Sequence, residues 1–76
     1  MGNVNIGQVT EEDYDLAVGI IVGNQRASTS FLQREMMVSY SYAVALMLRA
    51  EADGIVSQAN HFGKREVLRR PGEKTA

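Results

Sequence analysis

Residues 36–48 read MMVSYSYAVALML, and the fold turns on how this stretch is parsed. The preceding SFLQRE, residues 30–35, has the makings of a helix, and Val38-Ser39 forms a tight turn before a second helix that opens near Tyr40. Two helices joined by so short a turn suggest a helix-turn-helix, whose second helix normally enters the DNA major groove. Base edges are read by Arg, Lys, Asn and Gln. This helix opens with Ser39, Tyr40, Ser41 and Tyr42, and carries none of those four residue types until Arg49. The segment has the position of a recognition helix without its usual chemistry.

Toward the N-terminus, Thr10 is suited to an N-cap, with Asp13 three residues on and acids filling the first turn, which complements the helix dipole. Tyr14, Ala17, Val18, Ile21 and Val22 recur at helical spacing, so residues 11–22 form an amphipathic helix that Gly23-Asn24 ends. QRAST is short and extended; Ser30 caps the following helix with Gln33 in a capping-box pattern. That helix ends near Met37. The third runs from Ser39 or Tyr40 to Asp53, where Gly54 stops it. Ile55–Ser57 read as a brief strand, QANHFG as a loop, and KREVLRR as the returning strand closed by Pro71-Gly72.

This order predicts an α+β winged helix-turn-helix: three helices, a small antiparallel β-sheet and one wing. Residues 1–9 are expected to be a flexible arm, 10–70 the domain and 71–76 a flexible tail. The expected core is Tyr14, Val18, Ile21, Leu32, Met36, Val38, Val44, Met47, Ile55, Val56 and Val67. On the third helix, Tyr40, Val44 and Met47 are expected to face that core, and Ser41, Tyr42, Ala45, Leu48 and Arg49 to face outward.

Seventy-six residues make one domain, and a chain this short buries only about 60% of its unfolded surface. With no cysteine, neither disulfides nor thiolate metal sites add stability. No apolar run approaches the ~20 residues of a membrane span. The opening MGNVNIGQV has no basic residue ahead of its apolar positions, unlike a signal peptide. The chain is therefore expected to be soluble and cytoplasmic. Its net charge of −1 hides an asymmetry: residues 1–24 carry four acids and no base, and residues 25–76 carry eight bases against five acids. A nucleic-acid binder needs a local basic face rather than a basic total. The face here is modest, so binding through phosphates is expected to be weak and salt-sensitive.

YDLAV (14–18), RASTSFLQR (26–34), the SY before the third helix, GIV (54–56) and ANHFGKREVL (59–68) together resemble the C-terminal gamma domain of FtsK/SpoIIIE-type DNA translocases. The likeness covers roughly residues 12–68. It implies a winged helix that binds short, oriented chromosomal sequences in double-stranded DNA and contacts a Xer-type tyrosine recombinase, with the motor lying elsewhere. No Walker A loop is present. Where the family typically reads IGYNRAARLIE, this chain reads VSYSYAVALML. Ser41, Tyr42 and Ala45 replace Asn and Arg residues that point toward bases, and Leu48 replaces a polar residue. A bidentate base contact is worth about 1–3 kcal/mol of discrimination, so the family's sequence preference is expected to be lost.

Two readings follow. In the first, the chain is a DNA-binding module acting in chromosome processing, recombination or transcriptional control. Arg34, with Asn60, His61, Lys64 and Arg65 of the wing, would hold the backbone while Ser41, Tyr42 and Arg49 face the groove. In the second, Tyr42, Ala45 and Leu48 form an apolar patch for a protein partner: a recombinase, a regulator or a second copy. Arg26 and Arg34 sit where winged helices touch phosphates, a reading that the QR match favours over pairing with Glu35 or Glu51, and Arg69 and Arg70 either extend the basic strip or keep a sheet edge soluble. His61 is the only histidine, with no partners for a metal site and no nearby nucleophile. The serines at 28, 30, 39 and 41 have no local base, and the acids at 11–13 are helix-start charges. Neither catalysis nor a cofactor is expected.

Overall fold

The computed structural model describes residues 9–72. Three helices follow one another: α1 (Glu11–Asn24), α2 (Thr29–Met36) and α3 (Tyr40–Ala52). Each begins on a hydroxyl that accepts a backbone N–H. Thr10 accepts from Asp13, Ser28 from Phe31, and Ser39 from Tyr42, meeting donors that would otherwise lack a partner in the first turn. The cap of α2 is thus Ser28 rather than Ser30. α1 also runs two residues past the expected stop. It ends on Gln25 in the left-handed region at φ 51°, whose N–H donates back to Ile21 and Val22 carbonyls.

The core joins all three helices. Tyr14, Ala17, Ile21 and Val22 come from α1, Leu32 from α2, and Ala45, Leu46, Met47 and Ala50 from α3; Ile55 and Val56 close it from below. Residues 1–8 of the expected arm lie outside the described residues, but Val9 is buried in this core. Val9 and Tyr14 occupy the positions of a hydrophobic staple around the Thr10 cap, which fixes the chain's entry into α1.

Among the described residues there is no β-strand. The chain is all-helical there, and the expected α+β winged helix, with its antiparallel sheet and wing, is overturned. One isolated antiparallel bridge, Val56 to Val67, remains, flanked by N–H donation from Ser57 to Glu66 (2.9 Å) and from Leu68 to Ile55 (2.8 Å). Side chains stop the ladder from growing. The Glu66 N–H donates to Ser57 Oγ (2.9 Å), and Arg65 donates to the Ser57 carbonyl (3.0 Å), so the groups of the next rung are already engaged. At the other end Ile55 directly follows the helix stop at Gly54, which leaves no residue to extend the pairing.

The six-residue apolar run Ala43–Leu48 is also oriented differently from expectation. Ala45, expected outward, is 4% exposed; Leu46, absent from the expected core, is fully buried; Val44 is only partly buried. Met37 connects α2 to α3 in the left-handed region at φ 57° with its side chain 90% exposed. That conformation costs a non-glycine residue about 1 kcal/mol or more.

Two substitutions separate these effects. Leu46→Ala is expected to lower unfolding free energy by about 2–4 kcal/mol, a large part of the total for a domain near the lower end of about 5–15 kcal/mol. Met37→Gly is expected to raise it by up to about 1 kcal/mol through relief of the left-handed strain. Urea unfolding followed by circular dichroism measures both.

Candidate nucleic-acid interface

The polar side chains of α3 point in two directions, and α1 determines which are accessible. Tyr42 is inserted into the start of α1: its hydroxyl accepts from the Thr10 N–H (3.3 Å) and donates to Asp13 Oδ2 (2.6 Å). Asp13 therefore completes the cap through a tyrosine 29 residues away. Seven residues along α3, Arg49 makes a two-pronged contact with Glu11, its two terminal nitrogens lying 2.7 and 2.9 Å from the carboxylate oxygens. Its guanidinium also lies 4.0 Å from the centre of the Tyr14 ring. The Tyr14 hydroxyl in turn donates to Asp53 Oδ2 at 2.7 Å. These contacts run along one side of α3 and dock it on α1.

The electrostatics follow the geometry. The Arg49 guanidinium hydrogen-bonds the Glu11 carboxylate and holds it below its ordinary pKa. Burial, reinforced by the hydrogen bond to Asp53, pushes the Tyr14 hydroxyl well above the ordinary tyrosine range, because ionisation would place a second negative charge beside that carboxylate.

A groove of about 490 Å³ opens on a different part of the surface, where the α2 N-terminus meets Tyr40 and the loop around Gly63. Arg26, Ser28, Thr29, Ser30, Lys64 and Arg65 contribute to its walls. Arg26 is steadied over the Phe31 ring, 4.5 Å from its centre. The first amides of α2 lack intrahelical acceptors, and the helix dipole adds positive potential at this end. Lys64 is exposed. Arg65 is less available: it pairs with Glu51 at 2.6 Å and ties the 60s loop to α3.

The sequence-derived site residues thus separate. Lys64 and Arg65 meet at the groove. Arg34 and Ser41 are exposed on α2 and α3. Tyr42 and Arg49 face α1, and Ala45 is buried. Asn60 shapes its own loop, accepting N–H groups of Phe62 (2.8 Å) and Lys64 (3.0 Å) on its side-chain oxygen. His61 lies beside Phe62, ring centres 4.2 Å apart, and Phe62 is 76% exposed at the loop tip. Sequence reasoning passed over Phe62, although an aromatic between His61 and Gly63 in a polar loop was a visible signal. It also missed Tyr40 as a groove residue and the α2 amides, which only the corrected cap at Ser28 reveals. No described helix is long and apolar enough to cross a membrane.

Comparison with known proteins places these features in context. The model of the FtsK gamma domain matches residues 8–70. The chain is similar to the DNA translocase FtsK of Caulobacter vibrioides, 47% identical over 58 residues, and to that of Rhizobium meliloti, 48% identical over 59 residues. Those matches cover 76% and 78% of this chain and 7% of each relative. The DNA translocase FtsK of Brucella melitensis is 39% identical over 74 residues, 95% of this chain and 9% of the relative. The chain therefore spans less than a tenth of the length of these relatives.

The raised Tyr14 pKa has a measurable consequence. A group whose pKa rises on folding contributes stability that is complete below its unfolded value and is lost as pH climbs through the folded one. Melting temperature is thus expected to fall above about pH 10, where an unburied tyrosine ionises. In Tyr14→Phe this alkaline decline is expected to be shallower, although the variant starts from a lower stability at neutral pH. Thermal melts across alkaline pH test this.

Proposed function

This chain belongs to the FtsK gamma domain family, and on that premise we propose that it is a double-stranded-DNA-binding module of the translocase type, serving chromosome processing or recombination and carrying no motor of its own. The observation that carries this reading is the groove joining Arg26, Lys64 and the α2 N-terminus to Tyr40, the first residue of α3. Cationic side chains and outward amides at a helix start suit a phosphate. A phosphate held there would lay the neighbouring duplex along the exposed side of α3, with Ser41 toward the bases and Arg34 as a further backbone contact. In this reading Tyr42 and Arg49 fix the helix in place rather than touch DNA, Asn60 shapes the loop that carries Lys64, and His61 sits at its tip.

A protein-interaction reading, with a tyrosine recombinase, a regulator or a second copy as partner, is favoured by one observation. Met37, Tyr40 and Leu48 are exposed large apolar residues, and Leu48 is the only one of the three sequence-derived patch residues in that exposed set. Concentration-dependent association abolished by Leu48→Glu would support it.

DNA affinity is expected to be weak and steeply salt-dependent. With about three phosphate contacts, the slope of log affinity against log salt is expected to be near −3 on a random-sequence duplex. Lys64→Ala is expected to weaken binding uniformly across sequences and to reduce the slope by about one. Fluorescence anisotropy over a salt series measures both, and absence of binding at low salt contradicts the proposal.

A further inference from the structure

The DNA reading leaves open which bases α3 would select, and the accessible side chains of that helix constrain the answer. Within α3, Arg49 is the only residue of the four types that make bidentate base contacts. It is engaged by both oxygens of Glu11 and stacked on Tyr14. The part of the helix left open to solvent carries Tyr40 (55% exposed), Ser41, the partly buried Val44, Leu48 (45% exposed) and Ala52. These positions recur at intervals of three and four residues, so they share one stripe. Its first turn begins at Tyr40, which also lines the groove holding Arg26 and Lys64. The proposed phosphate site thus adjoins a largely apolar face whose hydroxyls are those of Tyr40 and Ser41.

In the major groove only thymine presents a methyl group, whereas guanine offers two acceptors and cytosine a donor. Apolar side chains packed on a guanine or cytosine edge would remove its water and return no hydrogen bond, which is costly. Packed on thymine methyls they bury apolar surface on both sides. Resting on the DNA-binding reading, we infer that Val44 and Leu48 select thymine methyls, so that this domain prefers A·T-rich major grooves to G·C-rich ones. The basic groove next to Tyr40 supplies the charge complementarity that commits the stripe to DNA.

The test compares three duplexes of equal length, and so of equal phosphate charge: one rich in A·T pairs, the same duplex with deoxyuridine in place of every thymidine, and one rich in G·C pairs. The thymidine duplex is expected to bind about fivefold more tightly than the deoxyuridine one, the order given by burying one or two methyl groups, with the G·C duplex weakest. Leu48→Ala, a surface change whose fold is checked by circular dichroism, is expected to shrink the thymidine–deoxyuridine gap. Equal binding of those two duplexes, tightest binding of the G·C duplex, or an unchanged gap in Leu48→Ala overturns the inference while leaving DNA binding intact. Failure to bind any of the three overturns the inference together with the reading beneath it.

Discussion

The Tyr42 hydroxyl, held between the Thr10 N–H and the Asp13 carboxylate, is the contact on which the arrangement of the molecule depends. An N-cap ordinarily closes within its own turn. Here the Thr10 hydroxyl accepts the Asp13 N–H in the usual way, but the return contact from the Asp13 carboxylate to the Thr10 N–H runs through the Tyr42 hydroxyl of α3, so the start of α1 and the start of α3 are fixed together. Tyr14 to Asp53 and Arg49 to Glu11 fix the far end of α3 in the same way. Between these ends lies the buried run Ala45, Leu46 and Met47. With α3 held at both ends, its rotation about its own axis is set, and rotation decides which side chains face solvent.

That constraint links fold to function. The polar groups of α3 best able to contact a base or a phosphate are the ones that anchor it to α1. The side turned to solvent is consequently apolar, and positive potential is supplied from elsewhere: from Arg26, Lys64 and the first turn of α2. In the DNA-binding reading proposed above, backbone attachment and base contact thereby fall to different elements, with Tyr40 between them. The opposite charge of the chain's two parts serves the same division. Acids at the start of α1 meet Arg49 and Tyr42, and bases downstream line the groove.

Much of this was legible in the sequence. Thr10, Ser39 and Gly54 each mark a helix end by local chemistry, and the spacing of Tyr14, Ala17 and Ile21 gave the buried face of α1. The family resemblance, resting on five short segments in order, agrees with the matched family. What stayed hidden has identifiable causes. Ser28 and Ser30 both have capping potential, and the Gln33 pattern favoured the wrong one. The unbroken run Ala43–Leu48 has no period, so the outward side of α3 could not be read from it, and Leu46 and Ala45 were misassigned. The strands failed because Ser57 Oγ and the Arg65 side chain satisfy the backbone groups that a second rung would need, a competition invisible in an alternating pattern. Long-range bonds such as Tyr42 to Asp13 leave no local trace.

The central claim is that α3 presents its apolar side to DNA because its polar side is bound to α1. The most direct test is a nuclear magnetic resonance titration of the domain with an A·T-rich duplex, following backbone amides and side-chain methyls. The account predicts shifts concentrated at Ser28–Ser30, Tyr40, Ser41, Val44, Leu48 and Lys64, with Glu11, Asp13 and Tyr42 little changed. Shifts centred on Glu11, Tyr42 and Arg49, with the methyls of Val44 and Leu48 unmoved, would contradict it.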